Sequence, residues 1–403
     1  MRRREFCASV ASGAFGAWLA PDELIRSLEL ATMWSNLDGQ GQTWFHPRIC
    51  RVPSAGGQYL FMTVQVIGGS DYYGPVHWSV SQDNGKTWST PEPVPGMGRR
   101  QLDNGMEEGL CDTVPEYHAR TGSVLLLAHN VYYRDGRLAQ PGEERWPVYV
   151  TRTSGGRFGP PRKLEWSHPE ASAMYTSGCS QRVTLPGGDI LVPLSLGPRG
   201  RADRGVCTLR CSFDGQTLRA AGHGNTLRLS AGRGLLEPTL ALHGGLFYMS
   251  VRAENGQGFV AQSKDGLQWD GMQPWRWDDG EPLALSSTQQ RWLTHSEALF
   301  LVYTRRDSSN LNVMRWRAPL YLARVDPKRM CLIRASERIA IPLYGDGLTR
   351  GNEVEHLGNF HTTAVSAEES LISCGTVIPA NYRGAVRMAR VRWARPNRDA
   401  SLT

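Results

Sequence analysis

Short apolar runs of strand length recur along the chain: Tyr59–Val64, Ser123–Ala128, Asp189–Leu194 and Leu246–Val251. Each follows a turn that carries glycine, the pattern of successive strands joined by tight reversals. Apolar stripes at helical spacing are scarce, so the pattern predicts an all-β chain of many short strands.

The turns between those runs repeat. Ser81-Gln82-Asp83-Asn84-Gly85-Lys86-Thr87-Trp88 fits the form S-x-D-x-G-x-x-W at every fixed position. Ser263-Lys264-Asp265-Gly266-Leu267-Gln268-Trp269 is a copy one residue shorter, and Ser212-Phe213-Asp214-Gly215-Gln216-Thr217-Leu218 carries Leu in the Trp place. Thr153-Ser154-Gly155-Gly156-Arg157-Phe158 is a fainter copy, and Phe158-Gly159-Pro160-Pro161 parallels Trp88-Ser89-Thr90-Pro91. In such a turn the carboxylate accepts backbone N–H bonds, glycine supplies positive φ, and the tryptophan anchors one sheet on the next. These aspartates are therefore expected to be structural. Copies fall roughly 50–70 residues apart, the length of a four-stranded blade with its loops. Setting aside about 40 N-terminal residues leaves roughly 360, or about six blades of 60. The expected fold is a six-bladed β-propeller of four-stranded antiparallel blades, one domain over residues 36–398.

Composition agrees: 44 Gly, 24 Pro and 13 Trp among 403 residues suit short strands and tight turns. The formal charge of +7 comes from scattered Lys and Arg, with no basic run beyond Arg2-Arg3-Arg4. Nucleic acid is therefore not an expected partner, whereas an anionic glycan is compatible with the charge. Arg3-Arg4-Glu5-Phe6 and the small, apolar stretch Cys7–Ala20 read as a twin-arginine-like signal within an N-terminal segment, residues 1–35. That predicts a periplasmic or secreted protein. No later stretch is long and apolar enough for an integral membrane segment. Eight cysteines, mostly isolated and without a CxxC pair, show neither zinc spacing nor a disulfide framework, and read as small buried fillers.

With these turns in place, further segments resemble the sialidase (neuraminidase) superfamily, whose Asp-box repeat the turns also match. His46-Pro47-Arg48-Ile49-Cys50 resembles that family's F/Y-R-I-P strand, with Cys50 in the Pro place. Ser177–Leu185 followed by Gly187–Pro193 resembles its third-blade pattern, and Leu236-Glu237-Pro238 with Leu246–Met249 and Arg252 resembles its glutamate and second-arginine segment. The resemblance extends over most of the chain from about residue 45. It implies a glycoside hydrolase in which three arginines hold a substrate carboxylate, a glutamate-assisted tyrosine is the nucleophile, and an aspartate is acid/base. Carried over, Arg48 and Arg252 become the first two arginines, Asp71 the acid/base and Glu237 the glutamate. Arg315 or Arg317 is the third arginine, and Tyr303 the candidate nucleophile. Guanidinium suits the task because its planar fork binds carboxylate bidentately and stays charged.

His129, His295 and His361 lie at the ends of strand-like runs and, with Tyr175 and an arginine, admit a second chemistry. In a uronate lyase the arginine neutralises the carboxylate, a His or Tyr takes the C5 proton, and a Tyr protonates the leaving oxygen. A third reading is a non-catalytic glycan-binding propeller, since fold does not fix function. Trp275 and Trp277 stack on sugar rings or pack between blades. No nucleotide fingerprint, HExxH, other metal-ligand cluster or G-x-S-x-G elbow is present. The expectation is an acidic oligo- or polysaccharide substrate and no cofactor.

Overall fold

The computed structural model describes residues 24–139, 145–170, 173–176, 180–198 and 203–401. The twin-arginine-like segment and Cys7 lie outside them, as does Cys179. Strands dominate and form six antiparallel sheets. The first blade comprises Trp44–Ser54, Gly57–Gly69, Tyr72–Ser81 and Glu92–Pro93, counted from the central axis outward. The second is built on Glu107–His118, Ser123–Arg134, Pro147–Arg152 and Arg162–Lys163. In the third, the inner strand is split into Ala173–Thr176 and Val183–Thr184, followed by Ile190–Gly197, Gly205–Phe213 and Leu218–His223. The fourth runs Leu236–His243, Leu246–Arg252, Gly258–Ser263 and Gln273–Pro274. The fifth contains Arg291–His295, Ala298–Tyr303 and Leu320–Asp326, with Cys331–Leu332 and Arg338–Ile341 outside.

The sixth blade closes the ring. Its strands His361–Ala364, Glu369–Val377 and Ala385–Trp393 receive their outermost neighbour from the start of the described chain, Ile25–Ser35. The propeller therefore begins before residue 36, and Ile25–Ser35 belongs to the sheet and not to a leader. That strand was illegible because it is an edge: most of its side chains are exposed or half-buried, so it has no apolar run.

Each of the six junctions between blades is filled by its own apolar cluster. Phe61 and Val76 meet Val124 and Leu126 between the first and second blades. Around the ring the same role falls to Leu127 with Val192, Leu191 with Met249, Tyr248 with Trp292, Phe300 with Trp393, and Leu371 with Leu60. Trp275 and Trp277 are buried in the fourth–fifth junction, where they pack and do not face solvent.

The repeated turns join the third strand of a blade to its fourth. Asp83 Oδ1 accepts the N–H groups of Lys86 and Thr87 at 3.0 and 2.8 Å, and Asp265 Oδ1 those of Leu267 and Gln268 at 2.8 Å each. Asp214 does the same for Gln216 and Thr217. Gly85 holds φ at 81°, and a Cβ there would stand 2.9 Å from Leu371 of the sixth blade. Trp269 is buried between the third and fourth blades. The fifth blade has an unannounced equivalent, in which Asp326 Oδ1 accepts from Lys328 and Arg329 without the serine, glycine or tryptophan. Six of the cysteines are buried and unpaired in disulfides.

Candidate functional site

Strand direction fixes which residues share a face. In every blade the inner strand begins, and the second strand ends, at one rim; the aspartate turns and inner hairpins lie at the other. Asp71, in the hairpin after Gly57–Gly69, Glu237 near the start of its strand, Arg252 at the end of its own, and Arg315 in the long connection after Ala298–Tyr303 all reach the first rim.

Glu237 and Arg252 meet there, with Arg252 Nη1 2.7 Å from Glu237 Oε1. The contact depends on an irregularity. Pairing with the neighbouring strand slips between Leu236 and Thr239, and Glu237 takes φ of 49°. A left-handed residue in a bulge re-aims its side chain. Glu237 Oε2 is buried without a hydrogen-bond partner. Arg252 also donates from Nε to Ser287 Oγ and approaches Glu254 at 3.8 Å.

Arg315 stands beside this pair. Partial desolvation, then the charges of Arg317, Arg252 and Arg233, lowers its proton affinity, while Asp71 opposes them. Crowded like charges of this kind favour an anion among them. Among the described residues the Arg315 guanidinium has no hydrogen-bond partner, and the residue is exposed. Arg317 spends one nitrogen on the Leu357 carbonyl, and its Nε is buried and unpartnered. Arg233 is held by Glu254, which raises its proton affinity. Asp71 is exposed, has φ of 52°, and accepts a hydrogen bond of 3.2 Å from the Tyr73 hydroxyl.

Arg48 is placed differently from its expected role. Its side chain has no exposed surface; Nη2 lies 2.6 Å from Asp112 Oδ1, and Nη1 donates to the Phe360 carbonyl. Asp112 also accepts from Asn359 Nδ2 at 3.0 Å, and His46 Nδ1 lies 3.4 Å away. Burial pushes the Asp112 carboxyl up, but His46 and Arg48 outweigh it and hold the group below its ordinary range. Burial likewise pushes His46 down to about 4. His46 and Asp112 occupy positive-φ positions in bulges of the first and second blades, matching Glu237 in the fourth.

The remaining expected residues scatter. Tyr303 is fully buried; its hydroxyl donates to Glu337 Oε1 at 2.6 Å, and its ring stacks on Tyr321 within the fourth–fifth junction. It is not brought to the Glu237–Arg252 pair. His295 ends an inner strand and so lies at the opposite rim, bonded to the Arg395 carbonyl and the Glu297 N–H. His361 is buried and accepts from the Ile49 N–H, and His129 faces Cys111. The three histidines therefore do not form one cluster. Tyr175 lies in a described strand, but its side chain lies outside what the structure describes. Reasoning from sequence passed over Asp112, His46, Arg233 and Glu254, whose roles arise from bulges and long-range pairing.

No protein-family model matches the chain, and no curated protein matches it in sequence. Solved structures do match in shape. A protein of unknown function from Dyadobacter fermentans is 13% identical, with 92% of this chain and 99% of that one covered and a TM-score of 0.64. The NanB sialidase of Streptococcus pneumoniae is 11% identical, covering 90% and 70%, with a TM-score of 0.61. A Trypanosoma rangeli sialidase is 15% identical over 92% of this chain and 60% of its own length, with a TM-score of 0.58. With six blades in a ring and these likenesses along most of its length, the chain has the sialidase-like six-bladed propeller fold.

Proposed function

We propose that this protein is a glycoside hydrolase acting on a carboxylate-bearing glycan, with sialic acid or a uronic acid at the cleaved position. The observation that carries the reading is the convergence of Arg252, Arg315, Arg317 and Arg233 near Asp71 and Glu237. Arg315, exposed and without a hydrogen-bond partner among the described residues, is the open half of a carboxylate fork, and Arg252 and Arg317 complete it. Arg48, buried and paired with Asp112, is not assigned to the carboxylate. Asp71, on the exposed hairpin, protonates the leaving oxygen; Glu237, through its unpartnered Oε2, takes a proton from the attacking water, whose oxygen bonds to the sugar as the glycosidic bond breaks. Among the described residues no tyrosine hydroxyl is hydrogen-bonded to Glu237, so no tyrosine is assigned as nucleophile. The proposed setting is periplasmic or secreted; no helix among the described residues is long and apolar enough to cross a membrane.

The lyase alternative draws less support, because His295 lies at the far rim and His129 and His361 are buried. Mass spectrometry of products from a sialoside and from uronate oligosaccharides tests the proposal. Hydrolysis adds water to the cleaved sugar, which is the expected result. An unsaturated sugar, or no product from either class, would overturn it.

A further inference from the structure

Cys111 and His129 are direct partners across the first two strands of the second blade, and so share one face of that sheet. Cys111 Sγ lies 3.2 Å from His129 Nε2. In an unbroken strand the next residue, Asp112, would point to the opposite face. Here the register slips between Cys111 and Val114, Asp112 takes φ of 55°, and its Oδ2 comes 3.9 Å from the Cys111 sulfur. The three donor atoms all lie within 4.8 Å of one another, on residues 4%, 8% and 3% exposed.

The two oxygens of Asp112 are differently employed. Oδ1 carries Arg48 at 2.6 Å and Asn359 at 3.0 Å, whereas Oδ2 has only the distant sulfur. His46, 4% exposed, stands on the Oδ1 side, its Nδ1 3.4 Å from that oxygen. A carboxylate clamped on one side by an arginine and an amide is held with its other oxygen toward the sulfur.

We propose that Cys111 Sγ, Asp112 Oδ2 and His129 Nε2 bind one zinc-like divalent cation. One thiolate, one carboxylate and one neutral imidazole form the mixed donor set that Zn²⁺ accepts, whereas Ca²⁺ or Mg²⁺ would leave sulfur unused. Zinc bonds of about 2.0–2.3 Å to tetrahedral corners set donors about 3.5 Å apart, and the observed 3.2 and 3.9 Å bracket that spacing. As the S–Zn bond forms, the thiol proton passes to solvent. Three protein ligands leave a fourth place for water or a ligand oxygen. The ion's site does not depend on the hydrolytic reading, and either can fail without the other.

The test uses the whole chain, stripped with a chelator, equilibrated with Zn²⁺ or Co²⁺ and desalted. Metal content is read by plasma mass spectrometry, thiolate-to-cobalt charge transfer by near-ultraviolet absorption, and folding by circular dichroism. The expected result is one ion per chain with a thiolate band, affinity reduced about tenfold or more in Cys111→Ser and His129→Gln, and unchanged binding in Cys331→Ser. If Cys111→Ser does not fold, the wild-type band and His129→Gln decide. A folded wild-type chain that retains no ion, or a folded His129→Gln with wild-type content and band, would overturn the proposal.

Discussion

Arg48 and Asp112 form an ion pair of 2.6 Å between the inner strands of the first two blades, with the arginine wholly enclosed. Removing one partner strands the other charge in the interior. Arg48→Ala and Asp112→Ala should each lower stability by about 3–5 kcal/mol, measured by urea unfolding. Arg48→Ala leaving stability unchanged would mean that Asp112 finds a substitute partner.

Asp83 caps its turn with two backbone N–H bonds and two side-chain hydroxyl bonds, from Ser81 and Thr87. It lies at the rim away from Arg315. Asp83→Ala should lower the unfolding free energy by about 1–2 kcal/mol, as losing a cap does, while glycan turnover stays at the wild-type rate. A variant with intact stability and lost turnover would place chemistry at the turn.

His361 supplies a pH dependence. Burial first, and then the charges of Arg291, Arg48 and Arg182, hold its imidazole well below its ordinary range. It is neutral when folded and accepts the Ile49 N–H. The unfolded chain binds a proton that the folded chain refuses, so stability contributed by neutral His361 is present above pH 6.5 and falls away as pH drops below it. Thermal melts between pH 7 and 5 should show a shallower decline in His361→Gln than in the wild type. Parallel declines would assign the acid sensitivity to other groups.

The propeller was legible because its signature is local. Ser81–Trp88 and Ser263–Trp269 each contain the whole chemistry of a turn within a few residues. Asp326 performs the same capping without the flanking residues and left no pattern, and Ile25–Ser35 is too exposed to read as a strand. At the site, the resemblance of their segment singled out Glu237 and Arg252, but the ion pair between them comes from a bulge that the sequence does not show. Asp112 was not singled out, because its importance comes from a bulge that turns it toward a strand 64 residues away in sequence. Tyr303 is a candidate from the polar segment Tyr303-Thr304-Arg305-Arg306-Asp307 that it opens, and that segment gives no sign that its hydroxyl is committed to Glu337.

Arg233 and Arg252 share Glu254, which tethers the edge of the arginine cluster. Glu254→Gln should loosen that tether and raise the KM for a carboxylated glycan while changing kcat little, the mark of lost binding that is uniform along the reaction. Steady-state kinetics on the variant separate the two constants, and a fall in kcat alone would assign Glu254 a direct part in bond cleavage.

The most direct measurement compares hydrolysis of a sialoside or uronide with that of its carboxyl-reduced counterpart, in wild type and in Arg315→Ala. The wild type should cleave the acid and strongly prefer it. Arg315→Ala should lose roughly 10–100-fold in kcat/KM for the acid, the worth of a charged hydrogen bond, and little for the alcohol. Equal turnover of acid and alcohol by the wild type, or an Arg315→Ala variant that keeps the full preference, would contradict the account.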